Sequence, residues 1–181
     1  MFTQEVKEGL ALALIQPSFA KQYLNIVSQE RDCLGQWLAW PAHADSEAFF
    51  RTFIENALQG YAAGKSLTCA MIVEGQVAGN ISFNTIHIEL KKVEIGYWLS
   101  QQYQGQGIVS QSVEKMIEIA FEQLAMEKVQ ISAAVENRPS RRVCERLGFE
   151  LEGVITRAEN LNGRIVDHAV YGLSRAKWTE R

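Results

Sequence analysis

Cysteine and histidine are both scarce in this 181-residue chain, three of each, and their placement excludes two kinds of function. Cys33, Cys69 and Cys144 lie far apart with no Cys-x-x-Cys pair. That pattern builds no disulfide framework and suits a reducing compartment, the cytoplasm. His43, His87 and His168 show no metal-ligand spacing, so no metal is expected. Basic runs are missing as well. The net charge of −3 gives nucleic-acid binding no electrostatic support, and a mildly acidic surface tolerates a cationic substrate. No apolar run approaches about 20 residues, so nothing is expected to span a membrane. The charged N-terminus MFTQEVKEGL lacks the apolar centre of a signal peptide.

What remains is an ordinary globular composition, 47% hydrophobic and 22% charged, without repeats, linkers or low-complexity tracts. It predicts a single domain over 1–181 with a sizeable core. Leu10–Ile15 reads as a strand. Pro17 then starts a helix ending near Asp32, with Ser18 a capping candidate. Asp45 or Ser46 caps a second helix to about Ala63, which Gly64 ends. Leu67–Val73 and Gln76–Ile86 are strands joined at Glu74-Gly75. Val93–Leu99 is a strand, Ile108–Leu124 a helix, and Lys128–Val135 a short buried strand. A short helix from Asn137 to Leu147 has proline in its first turn. Glu150–Asn160 and Val166–Ser174 flank Asn162-Gly163, a type I′ hairpin pair. The predicted order is β-α-α-β-β-β-α-β-α-β-β.

The most informative stretch is Val93–Met116. Gln102-Tyr103-Gln104-Gly105-Gln106-Gly107 joins a strand to a helix that begins with Ile108 and Val109. Glycines there let a ligand approach the main chain, and the free N–H groups of the helix start favour an anion. A phosphate or pyrophosphate is therefore expected. A P-loop string is absent, and Gly105-Gln106-Gly107-Ile108-Val109-Ser110 lacks the third glycine of a dinucleotide fingerprint. The segment is similar, position by position, to the Gln/Arg-x-x-Gly-x-Gly/Ala loop of the GNAT N-acetyltransferases. Glu94–Leu99 resembles that family's fourth strand. Asn137-x-x-Ser140-x-x-x-x-Glu145-Arg146-Leu147-Gly148-Phe149 resembles its fourth helix. Leu34–Pro41, Gly96–Leu99 and Ala158–Gly163 narrow the resemblance to the RimL-like ribosomal-protein-serine acetyltransferases.

The resemblance covers essentially the whole chain. It implies an α+β fold, a mixed, mostly antiparallel sheet with helices on both faces. It also implies acetyl transfer from acetyl-CoA to the N-terminal serine of a ribosomal protein. The alternatives are acetylation of a small amine such as a polyamine or an antibiotic, and a non-catalytic acetyl-CoA-binding module. A homodimer is a further expectation, relatives often being dimers. Acyl transfer to an amine requires the amine to lose a proton, the reactants to be held close, the carbonyl oxygen to be stabilised and the thiolate to be released.

By resemblance, Gln102–Val109 holds the pyrophosphate, and pantetheine lies between splayed strands Val93–Leu99 and Lys128–Val135. Gly96 is a candidate for the bulge that splays them. A backbone N–H near Trp98 or Leu99 polarises the carbonyl, and Asn137 holds a pantetheine amide. Glu159 matches the branch's base, Glu94 the position used by many other members, and Ser140 the proposed acid. A glutamate within an apolar strand must be paired, solvated or functional, which keeps Glu94 in contention. Trp37 and Trp40, three apart before Pro41, are candidates for a groove wall or for core plugs beneath the loop. Tyr97 borders the same substrate region as a candidate proton donor to the thiolate. Arg141, Arg142 and Arg146 are candidates for the adenosine phosphates or for a solvated helix face. Cys144 reads as a buried thiol.

Overall fold

A computed structural model describes residues 2–180. Its strands are β1 (Thr3–Lys7), β2 (Leu10–Leu14), β3 (Leu67–Val73), β4 (Gln76–His87), β5 (Lys92–Leu99), β6 (Lys128–Ala134), β7 (Glu150–Leu161) and β8 (Arg164–Ser174). Its helices are α1 (Ala20–Gly35), α2 (Glu47–Ala62), α3 (Ile108–Glu118), α4 (Arg138–Arg146) and α5 (Arg175–Thr179). The strands form one sheet in the order β1-β2-β3-β4-β5-β6-β8-β7. The β5–β6 pair is parallel and the other pairs are antiparallel. The fold is the expected α+β arrangement.

Alternation along the strands divides the core into two layers, because successive side chains leave a strand on opposite faces. Leu12, Met71, Phe83, Val93 and Ile95 pack with Val113, Met116 and Ile117 of α3 and Val143 and Cys144 of α4. Ala13, Ile15, Ala70 and Ile72 pack with Tyr23 and Val27 of α1 and Phe50 and Ile54 of α2. One helix pair thus covers each face.

Local chemistry explains where the elements begin and end. The Ser46 hydroxyl accepts from the Phe49 N–H at 3.3 Å and caps α2. Asn162 (φ 53°) and Gly163 (φ 100°) both take positive φ, as a type I′ turn requires. The structure also corrects several expectations. β1 was not expected: TQEVK is polar and exposed because it forms one edge of the sheet. α5 was also unread. Ser18 caps no helix. It lies inside a single 3₁₀ turn, where its hydroxyl accepts from the Gln16 amide, and α1 begins two residues later. α1 runs past Asp32 to Gly35 with a break at Glu30 (φ −118°, ψ 18°). The helix expected to reach Leu124 stays α-helical only to Glu118 and then widens into a π turn over Ile119–Gln123.

Candidate active site

The site begins where two parallel strands part. β5 pairs with β6 only from Lys92↔Lys128 to Ile95↔Ile131. Beyond that, β5 continues on β4 as far as Leu99, and β6 continues on β8 as far as Ala134. A gap therefore opens between Gly96–Leu99 and Ser132–Ala134. The bulge beside it is not at Gly96. It lies on β4 at Asn84, the extra residue between Phe83↔Ile95 and Thr85↔Glu94. Gly96 has a different reason to lack a side chain: a Cβ there would overlap the Asn84 amide.

Backbone direction selects one carbonyl-polarising donor. The Ser100 N–H bonds the Ala78 carbonyl of β4 at 2.8 Å. Alternate residues of a strand bond alternate neighbours, so the Trp98 N–H also faces β4, while the Tyr97 and Leu99 N–H groups face the gap. Of the two residues named from sequence, Leu99 is the one placed to donate there.

The loop follows at once. Gln102 and Tyr103 close a 3₁₀ turn, and Gly105 (φ 75°) and Gly107 (φ 76°) both adopt the left-handed conformation. Gly107 caps α3 without a side chain, so no side-chain oxygen competes for the N–H groups of Ile108, Val109 and Ser110. Nothing lies within 4 Å of the Cβ position of Gly105. Gln104 donates to the Leu99 carbonyl at 3.3 Å and Gln106 to the Gln102 carbonyl at 3.0 Å, which tie the loop to the strand end and to itself. An open, glycine-shaped loop at a helix start with no side-chain cap fits a pyrophosphate.

One face of the gap carries hydroxyls. Asn137 caps α4 by accepting the Ser140 N–H at 3.3 Å. Tyr97 points to this face, and its hydroxyl lies 2.8 Å from the Ser140 hydroxyl. Burial pushes the Tyr97 phenol far above its ordinary value, with the nearby Cys144 adding to the rise, so it stays protonated. Cys144 is buried, donates weakly to the Ser140 carbonyl at 3.6 Å, and has its thiol pushed up to about 12 by burial. Arg141 is held by the Tyr171 hydroxyl and the Val135 carbonyl, both at 3.0 Å. Arg146 reaches Ser110 in the first turn of α3 at 2.9 Å, and Arg142 is exposed.

The other face is aromatic and acidic. Trp98 packs on Tyr23 (5.6 Å between centroids) and Trp40 (5.8 Å), and Trp40 also meets Phe50 (6.2 Å). Trp37 stands apart, against Ala134, Leu161 and Val166, with the Arg164 guanidinium 5.4 Å above its ring. Both tryptophans are half-buried. The β7–β8 hairpin is docked onto this loop: Asn162 donates to the Ala39 carbonyl at 3.0 Å and Arg164 to the Gln36 carbonyl. Glu159 is opposite Val166 in register, so it shares the Trp37 face, and its carboxylate meets His168 at 3.0 Å. Glu94 also leaves β5 on this side, by alternation with Val93 and Ile95. It lies within the paired stretch, opposite Gln130, short of the gap. Tyr97 is thus separated by the sheet from Trp37 and Trp40, the residues it was grouped with in sequence.

Two residues of the site escaped the sequence. Glu30, at the break in α1, accepts the Ser100 hydroxyl at 2.6 Å and the Gln101 N–H at 2.9 Å, which joins α1 to the start of the loop 70 residues away. His168 was considered only as a metal ligand. Neither has a local motif, since each is defined by a partner on another element.

A sequence profile of the acetyltransferase (GNAT) domain matches residues 10–150. YdaF of Bacillus subtilis (strain 168), provisionally named a ribosomal N-acetyltransferase, is 33% identical over 179 residues, 98% of each chain. The ribosomal-protein-serine acetyltransferase of Escherichia coli (strain K12) is 32% identical over 169 residues, 93% of this chain and 94% of that one. Among solved structures, the RimL ribosomal L7/L12 alpha-N-protein acetyltransferase in complex with coenzyme A superposes with a TM-score of 0.93 at 28% identity, covering 97% of this chain and 99% of that one.

Proposed function

Since the chain belongs to the GNAT N-acetyltransferase family, in its RimL-like branch, we propose that it acetylates the N-terminal amine of a ribosomal protein beginning with serine. Acetyl-CoA supplies the activated acetyl group. The loop from Gln102 to Val109 would hold its pyrophosphate, with Asn137 and the Leu99 N–H along the gap.

The observation that supports this reading is a pair of hydroxyls on one face of the sheet and a carboxylate on the other. Ser140 and Tyr97 form a hydroxyl pair on the face of α3 and α4. Glu159 is a carboxylate on the opposite face, among Trp37 and the hairpin. Amide formation needs a proton taken from the amine and a proton given toward the departing sulfur. Ser140 and Tyr97 lie on one face of the sheet and Glu159 on the other, on the outer strand. Glu159 accepts the ammonium proton, directly or through a water, and Ser140 assists the thiolate, supported by the un-ionised Tyr97 phenol.

An acceptor screen with acetyl-CoA tests the substrate. A serine-starting ribosomal peptide is expected to gain one acetyl group by intact mass and to outcompete polyamines and aminoglycosides. Turnover confined to the small amines would overturn the assignment to a protein N-terminus.

A further inference from the structure

Glu159 stands on weak backbone. β7 is the outer strand of the sheet, held on one side only. Its pairing with β8 jumps from Ile155↔His168 to Glu159↔Val166, so β7 carries two more residues than its partner there. Arg157, within that bulge, has a φ of 53°, the left-handed region that side chains disfavour. Glu159 follows this irregularity directly, and its side chain is 37% exposed. A general base must stay within about 2.6–3.2 Å of the proton it removes. A carboxylate on a bulged edge strand does not hold such a position unaided.

His168 is rooted differently. It lies on β8, between β6 at Ala134 and β7 at Ile155, and is 20% exposed. Its Nε2 is 3.0 Å from Oε2 of Glu159. A carboxylate only accepts, so the ring nitrogen facing it carries the hydrogen. That bond occupies Oε2 and leaves Oε1 for the acceptor. The adjacent Asp167 accepts the Arg157 N–H at 2.8 Å, pinning the bulge to the same strand.

We propose that His168 is a positioning residue for the acyl transfer, acting through Glu159 by fixing one carboxylate oxygen so that the other meets the acceptor amine. This rests on Glu159 being the base. The Nε2–H is the working group, so a neutral donor of similar reach should replace it.

The test compares His168→Ala, His168→Gln and Glu159→Gln, singly and as His168→Ala/Glu159→Gln, on the full chain with acetyl-CoA and the accepted peptide. His168→Ala is expected to lower kcat by about tenfold to a hundredfold, the size seen when a group that orients a functional ligand is lost. KM for acetyl-CoA should not move, and His168→Gln should recover most of the rate. In the Glu159→Gln background, His168→Ala should cost nothing further, since the two act as one unit. A crippled Glu159→Gln beside an unimpaired His168→Ala would overturn the inference alone. Equal crippling of His168→Ala and His168→Gln, both folded by circular dichroism, would overturn it in favour of the imidazole itself as base. A near-normal Glu159→Gln would overturn the base assignment beneath it.

Discussion

Glu159→Gln keeps the size and the hydrogen-bonding reach of the side chain but removes its basicity. If Glu159 takes the acceptor proton, kcat should fall by ~10²–10⁴-fold, the usual contribution of a positioned acid or base. Acetyl-CoA affinity should change little, because the loop and the gap are on other elements. Part of the rate should return between about pH 7 and 9, where more acceptor amine is already deprotonated. Glu94→Gln is the matched control. It stands where β5 and β6 are still paired, and its side chain has no hydrogen bond or ion pair with another described residue. It is expected to cost no more than a few-fold. Steady-state kinetics on both variants decide the matter: a crippled Glu94→Gln beside a mild Glu159→Gln would put the base at the other family position. From the sequence Glu94 ranks second because its strand parity could turn it away from the groove, and nothing local says where β5 leaves β6.

Elements whose cause is local were legible in the sequence. The Gly-x-Gly loop, the Asn-Gly hairpin and the Ser46 cap each depend on residues within a few positions of one another. What failed depends on distant partners. β1 is polar because it is an edge, the bulge at Asn84 is defined by its register on β5, and Glu30 acts on a segment 70 residues later. The loop is therefore the element on which a strong prediction is safest. Gly107→Val puts a β-branched side chain at φ 76°, which costs about 1–3 kcal/mol. The new Cβ meets only the flexible end of Gln111, at 3.3 Å, so the variant should fold with a modestly lower Tm. Its side chain would stand where a pyrophosphate must approach the main chain. Titration calorimetry is expected to show acetyl-CoA binding lost from a folded protein. Unchanged affinity would remove the phosphate-binding role from the loop.

Across the whole molecule, the two-layer core buries groups that are neutral only below alkaline pH. Burial pushes the Cys69 and Cys144 thiols up to about 12 from an ordinary 9.0, and raises the Tyr23 and Tyr97 phenols further above theirs. The two layers share the load: Cys69, Cys144 and Tyr97 lie on the α3–α4 side and Tyr23 beneath α1. These are acids whose folded values exceed their unfolded ones. The unfolded chain releases its protons first, binds fewer than the native state, and is favoured as pH rises. Their stabilisation is complete below about pH 9 and is lost progressively from there toward pH 12. Linkage therefore lowers the stability of the fold through that range, against a total of only ~5–15 kcal/mol typical of a folded protein. Denaturant unfolding from pH 7 to 11 should show a plateau and then a decline. In Cys144→Ala one of these protons is absent, so the decline above pH 10 should be shallower. An identical slope in that variant would mean that the Cys144 thiol ionises as readily in the folded protein as in the unfolded chain. The same onset sets the upper bound for the pH rescue of Glu159→Gln, since a rate recovered below pH 9 comes from a fold that still holds its core thiols and phenols neutral.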